Sequence, residues 1–199
     1  VGITTNAVKI FNALGTTIDP AYCTVMIGVV NMISAVVAAE VHSRFDRKPT
    51  LLVTTAVCVL MELFFAFFFW ARANGGESLR EWTDNNSNLA LMSILVYFVS
   101  ISIGVGMMPF MYLGEAIPSK IKGLASAFSL TLNMVFVFVV LQTFNPLVNL
   151  IGYHYLFLSL AVLSTVTVLT VHSLMIETRG RSISEIDEYY NTLMEKKKK

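Results

Sequence analysis

Apolar residues along the chain collect into five long runs, at 21–39, 51–71, 89–113, 124–147 and 155–176, and the short segments between them hold most of the charged side chains. A helix rises about 1.5 Å per residue, so crossing a hydrocarbon core of about 30 Å takes about 20 apolar residues. Each run meets or approaches that length, and the pattern predicts an all-α membrane protein with five transmembrane helices. Inside the runs, small and polar residues recur at helical spacing. They are Thr24, Gly28, Asn31 and Ala35 in the first run, Ser93, Tyr97, Ser100 and Gly104 in the third, and Ser126, Ser129 and Asn133 in the fourth. Lipid offers polar groups no partner, so such stripes face neighbouring helices or a water-filled cavity. Close helix packing explains the Ser, Gly and Ala positions as well as a cavity does. Asn31 and Asn133 point more directly to a cavity, because a buried amide costs a few kcal/mol unless hydrogen-bonded. An amide both donates and accepts, which suits a polyhydroxylated ligand.

Composition removes the soluble alternative. Of the 199 residues, 55% are hydrophobic and 14% charged, with a mean hydropathy of +0.68, against about 25% charged residues in soluble domains. Too little polar sequence remains to cover five apolar runs. The 14 Lys and Arg divide unevenly, with only Lys9, Arg72 and Arg80 on one side of the membrane. The other side holds Arg44, Arg47, Lys48, Lys120, Lys122 and six in the tail, and the positive-inside rule assigns that side, with the C-terminus, to the cytoplasm. Asn85, in Asn85-Asn86-Ser87, then lies outside, as a glycosylation acceptor or as part of an unmodified polar loop. The chain begins at Val1 without a signal peptide, as expected of a segment inside a longer reading frame.

The net charge of +1, with no basic stripe among aromatics, predicts no nucleic-acid partner. Cys23 and Cys58 both lie inside runs, and His42, His154 and His172 are scattered without ligand spacing. No nucleophile triad, phosphate loop or metal motif is present, so neither a cofactor nor an enzymatic activity is expected. Glu62 stands near the middle of the second run. A central charge costs about 3 kcal/mol on insertion scales, while twelve Leu, Val and Phe residues in that run return about 5 kcal/mol at roughly 0.4 each. The helix inserts with its acid, which reads as a proton carrier, a polar contact within the bundle, or a protonated glutamate bonded to a neighbouring helix. The tail carries a capping-box pattern, Ser182 to Glu185, with Ile183, Ile186, Tyr190 and Leu193 on one face, and ends in four lysines. It reads as a short amphipathic helix followed by a solvated or lipid-attracted charge run.

Several segments, in order, resemble the sugar porters of the major facilitator superfamily, and among them the arthropod facilitated trehalose transporters. "SRFDRKPTLL" is similar to the family's D-R-x-G-R-[KR] loop, with Ser43 for its acid and Asp46 for its glycine. "GVGMMPF" resembles G-x-G-P-x-P-W, and "EAIPSKIKGLASA" resembles E-x-[FI]-P-x-x-x-R-G-x-A, with Lys122 for the arginine. "ETRGRSISEI" resembles P-E-T-K-G-R-S-L-E-E-I, with Ile176 for the proline. The resemblance implies the C-terminal half of a transporter built from two six-helix halves. Residues 1–20 then correspond to the end of a seventh helix and an extracytoplasmic loop, 21–176 to a five-span bundle, and 177–199 to a cytoplasmic tail.

It further implies facilitative transport of a sugar of the hexose or trehalose class by alternating access, in the plasma membrane, with the lipid bilayer and a missing N-terminal half as partners. Substrate-binding positions fall on Asn31, Phe110, Asn133 and Met134, the family having tryptophan at Phe110 and Met134. Arg44, Arg47, Glu115, Lys122, Glu177 and Arg179 collect at the cytoplasmic helix ends, as a gate of separable pairs or as charges that only fix topology. Gly104, Gly106 and Pro109 form a hinge, and Pro118 ends the helix that follows. The alternatives are a truncated, non-transporting sugar sensor or regulatory partner, and a proton-coupled symporter that uses Glu62.

Overall fold

Residues 2–14, 20–117 and 121–179 are described in a computed structural model. Lipid leaves backbone amides and carbonyls no external partner, and the described residues are accordingly helical almost throughout, with no strand among them. In chain order the helices are α1 (Gly2–Thr5), α2 (Ala7–Leu14), α3 (Pro20–Arg44), α4 (Arg47–Asn74), α5 (Glu77–Asn85), α6 (Ser87–Ile103), α7 (Met108–Ala116) and α8 (Lys122–Leu174). Segments long and apolar enough to cross a membrane are Val25–Arg44, Arg47–Asn74, Ser87–Glu115 and Lys122–Leu174.

The last of these is two spans. A continuous helix of 53 residues would run about 80 Å, far beyond a bilayer core. Gly152 interrupts it at φ 79° and ψ 166°. The Lys122 ammonium donates to the Gly114 carbonyl, and the Ile176 amide donates to the Tyr112 hydroxyl at 3.3 Å. Both ends of α8 therefore return to the end of α7, and the chain reverses at Gly152 between limbs 122–151 and 153–174. Among the described residues five spans result, as the apolar runs predicted.

The third run is one span made of two helices, interrupted where Gly104, Gly106 and Pro109 stand. α6 stops at Ile103 and α7 starts at Met108, with a turn between. Across it the Gly104 amide donates to Ser100 at 2.9 Å, the Gly106 amide to Ile101 at 2.8 Å and the Met108 amide to Gly104 at 3.0 Å. Pro109, in the first turn of α7, has no amide hydrogen to offer and does not need one there. Gly104 also lies hard against α4, where a Cβ would come within 2.0 Å of Thr54 Oγ1.

Helices in lipid gain little from the hydrophobic effect and are held by close packing and polar contacts. The densest packing surrounds α4. Phe69 stacks on Tyr153 and Phe157 of the second limb of α8, at 4.9 and 5.6 Å between ring centroids, and Phe65 meets Phe157 at 5.2 Å. Ile94, Tyr97 and Phe98 of α6 and Ile10, Phe11 and Leu14 of α2 complete the core. By contrast, Leu124, Phe128, Phe136 and Phe138 of the first limb of α8 are exposed. Pro118, Lys120 and the tail from 180 onward, with its capping box and lysines, lie outside the described residues, as do the side chains of Cys23 and Thr24.

At Gly152 the backbone occupies a region that side chains rarely adopt. Gly152→Ala is expected to destabilise the protein by about 1–3 kcal/mol, read as a lower melting temperature in detergent or nanodiscs. An unchanged melting temperature would show that the reversal does not require glycine.

Candidate functional site

α3 ends at Arg44 and α4 begins at Arg47, so one short turn sets the free carbonyls of a helix C-terminus beside the free amides of a helix N-terminus. Residues 175–179, after α8, lie across this turn and serve both. The Glu177 carboxylate accepts from the Arg47 amide at 3.0 Å and the Lys48 amide at 2.9 Å. The Arg179 guanidinium donates to the Ser43 carbonyl at 2.8 Å, to the Arg44 carbonyl, and to Asp46 Oδ1 at 3.3 Å. An anion thus covers the positive end of α4 and a cation the negative end of α3, the favourable sense for both helix dipoles. Asp46 occupies the N-cap position of α4 but makes no cap hydrogen bond with its side chain. Glu177 does that work from the far end of the sequence.

The Arg47 side chain then turns to α7. Its Nη2 and Nε donate to Glu115 Oε1 and Oε2 at 2.7 and 3.2 Å, a two-pronged, charge-assisted pair. Its Nη1 donates to the His42 carbonyl at 3.0 Å, and Thr178 donates its hydroxyl to Glu115 Oε2 at 2.7 Å. The Arg47 and Glu115 side chains are 13% and 32% exposed, so the pair is partly withdrawn from water. α3, α4, α7 and the segment after α8 are joined at this one basic end.

Four of the six predicted charges, Arg47, Glu115, Glu177 and Arg179, converge here. Arg44 and Lys122 do not. The Arg44 guanidinium pairs with Glu40 one turn back, with the two side chains 72% and 61% exposed, and such pairs contribute about 0.3–0.5 kcal/mol. The reason is local, because α3 continues to Arg44 and sets it four residues from Glu40. Lys122 covers the end of α7 through the Gly114 carbonyl. Thr178, which is buried, and Asp46 join the cluster without having been singled out as site residues, although both stand inside motifs that were read.

At mid-span, Asn31 of α3 is half-buried, and its Oδ1 accepts from the Ser102 hydroxyl of α6 at 2.8 Å. Phe110, Asn133 and Met134 are exposed, on α7 and the first limb of α8. Glu62 is buried and accepts from the Tyr97 hydroxyl at 3.2 Å, so its carboxyl joins α4 to α6. A cavity of about 390 Å³ lies between α6 and the two limbs of α8, lined chiefly by Tyr97, Phe98, Ile101, Phe144, Leu156 and Leu160, and none of the four predicted binding residues lines it. Asn85 is exposed at the last position of α5, two residues before the buried Ser87 that opens α6.

Burial pushes the Glu177 carboxyl up, but the amides of Lys48, Arg179, Arg47 and Thr178 outweigh that and hold it below the usual carboxylate range. A carboxyl lowered on folding stabilises the protein above its unfolded pKa of about 4.3 and loses that contribution as pH falls through the lowered folded value. The acid limb of a melting-temperature profile is therefore expected to flatten in Glu177→Gln relative to wild type. Parallel limbs would exclude the capping role.

Residues 2–190 match the family described as "Sugar (and other) transporter". The facilitated trehalose transporter Tret1 of Apis mellifera ligustica is 33% identical over 183 residues, covering 92% of this chain and 35% of that protein. Tret1 of Anopheles gambiae is 32% identical over 181 residues, covering 90% and 22%. The chain thus spans 22–35% of the length of these relatives. Among solved structures, a double-tryptophan mutant of XylE aligns with a TM-score of 0.78 at 21% identity, over 94% of this chain and 38% of that one. The proton:xylose symporter XylE bound to 6-bromo-6-deoxy-D-glucose aligns at 0.73 and 20% identity over the same shares. A family match over nearly the whole chain means that the chain belongs to the "Sugar (and other) transporter" family, and the solved structures share its fold.

Proposed function

We propose that this chain is the C-terminal half of a facilitative sugar transporter, acting with an N-terminal half outside this sequence on a sugar of the trehalose or hexose class. The observation that carries the reading is the Arg47–Glu115 cluster, which ties three helices and the segment after α8 together at one membrane end. By the distribution of Lys and Arg this end faces the cytoplasm, the C-terminus with it, in the plasma membrane. Asn85 then stands exposed on the outer side, open to a glycan. Alternating access requires one end to close while the other opens, and a partly desolvated ion pair is an element with two discrete arrangements.

In this reading Asn31 contributes to the sugar site, with Phe110, Asn133 and Met134 completing it on faces that this half leaves uncovered. The turn at 104–107, with Gly104, Gly106 and Pro109, serves as the hinge. Glu115 rides on α7, beyond that turn, so bending there carries one partner of the ion pair relative to Arg47. The contact between Glu62 and Tyr97, which joins α4 to α6, supports a role for this acid within the bundle.

The test is uptake of labelled trehalose and hexoses by the full-length transporter. Saturable, equilibrating uptake is expected, equal at two external pH values and retained in Glu62→Gln. Proton-driven accumulation that disappears in Glu62→Gln would replace facilitation with symport. Glu115→Arg is expected to lower the maximal rate by about tenfold or more, the equivalent of about 1.4 kcal/mol, and unchanged kinetics would sink the gate.

A further inference from the structure

In the cluster at the basic end, Arg47 is held by Glu115, Glu177 by the amides of α4 and Arg179 by Asp46. Lys48 stands apart. Its amide donates to Glu177 at 2.9 Å, but its ammonium meets no partner among the described residues, and the residue is half-buried. Lys48 belongs to the first turn of α4, and side chains on a helix lean toward its N-terminus. The ammonium is therefore carried toward the membrane surface, at the depth where phospholipid phosphates lie.

One turn deeper on the same side of α4, Leu51 lines a cavity of about 370 Å³ between α4, α7 and the second limb of α8. Met108, Pro109 and Tyr112 of α7 and Val171 of α8 form its walls, and Leu174, 75% exposed, forms its rim. The volume falls within the range of about 300–1,000 Å³ usual for small-ligand sites. Its two hydroxyls are already engaged, since Thr170 donates to the Val166 carbonyl at 2.8 Å and Tyr112 accepts from the Ile176 amide at 3.3 Å. A polyhydroxylated ligand would find little to bond there. Phe110, two residues from Met108 and so about 200° round the helix, does not line the cavity. The pocket thus opens on the side of α7 opposite the predicted sugar position.

We propose that this pocket takes an acyl chain of an anionic phospholipid, whose phosphate pairs with Lys48. An acyl chain needs no hydrogen bond, and passing from bilayer to apolar pocket changes its solvation little, so shape holds it. The headgroup charge then sets the preference among lipids. Chain and phosphate belong to one molecule, so two individually weak contacts act together. Met108 and Pro109 open α7 just after the 104–107 turn, and the bound chain lies against them. The site is read by labelling rather than by uptake, so it stands or falls apart from the sugar-transport reading.

The experiment uses the full-length transporter in phosphatidylcholine nanodiscs carrying a trace of phosphatidylserine, or of phosphatidylcholine, with a photoactivatable acyl chain. Illumination and peptide mapping are expected to place the label on residues 108–112 and 171–175. Phosphatidylserine is expected to label about fivefold more than phosphatidylcholine, the equivalent of about 1 kcal/mol for one lysine at the surface. Lys48→Gln is expected to bring the two lipids to equality, while Lys48→Arg keeps the difference. Val171→Trp fills the pocket and is expected to abolish labelling there. Leu174→Trp narrows it from the exposed rim and covers the case of a Val171→Trp variant that fails to fold. Label spread over exposed faces such as Leu124 and Phe128 without concentration at the pocket overturns the proposal. So does labelling unchanged in both tryptophan variants, or a headgroup preference that is absent in the wild type or retained in Lys48→Gln. Loss of labelling on adding soluble glycerophosphoserine would assign Lys48 to a free phosphate and overturn the lipid site as well.

Discussion

A helix that ends and a helix that begins leave carbonyls and amides with no partner inside either helix. The reversal from α3 to α4 brings both kinds of end together across two residues, and the basic end of the molecule is arranged around that constraint. Glu177 covers the amides and Arg179 the carbonyls. Half-charges of opposite sign at the two helix ends explain why one segment must present an acid and a base two residues apart. Once 177 and 179 are held, Thr178 between them faces Glu115, and Glu115 is oriented for the two-pronged grip of Arg47. The ion pair is thus a consequence of capping before it is anything else.

The same helix organises the remaining contacts. The first residue of α4 is Arg47 of the ion pair, Thr54 two turns on is the close neighbour of Gly104, and Glu62 two turns further meets Tyr97. Its Phe-rich second half packs against α8. Apolar side chains gain little by leaving lipid for protein, so close approach and stacked rings carry the association here. The turn at 104–107 is therefore anchored on one side by α4 while α7 extends from it toward Glu115.

Length and hydropathy made the five spans legible, because a bilayer sets a minimum run of apolar residues, and Gly104, Gly106 and Pro109 marked the interruption of the third. The family motifs supplied the charges of the basic end. Their pairing was less legible. Arg44 and Arg47 are three residues apart and equal in chemistry, and only the extent of α3 decides that Arg44 belongs to Glu40. That i, i+4 spacing was open to view in the sequence. Ser102 was missed for a geometric reason, since the stripe of Ser93, Tyr97, Ser100 and Gly104 follows one face of α6 and Ser102 stands two residues off it. A helical stripe shows what shares a face and says nothing of the face turned toward α3.

Depth separates the two kinds of polar contact in energy as well as in place. A charge stranded near the bilayer centre costs about 3 kcal/mol on insertion scales, so separable ion pairs belong at the membrane ends, where water can receive the partners as they part. At mid-span a neutral hydroxyl–amide bond such as Ser102–Asn31 is worth about 0.6 kcal/mol on average in such bundles. It joins α3 to α6 without placing a charge at that depth. A transporter needs both properties at once. Contacts that define closed and open must be strong enough to be discrete, and contacts at the substrate must be weak enough to exchange. This chain has a charged contact at its basic end, Arg47–Glu115, and a neutral one at mid-span, Ser102–Asn31, with the 104–107 turn lying between Ser102 and Glu115 in the sequence.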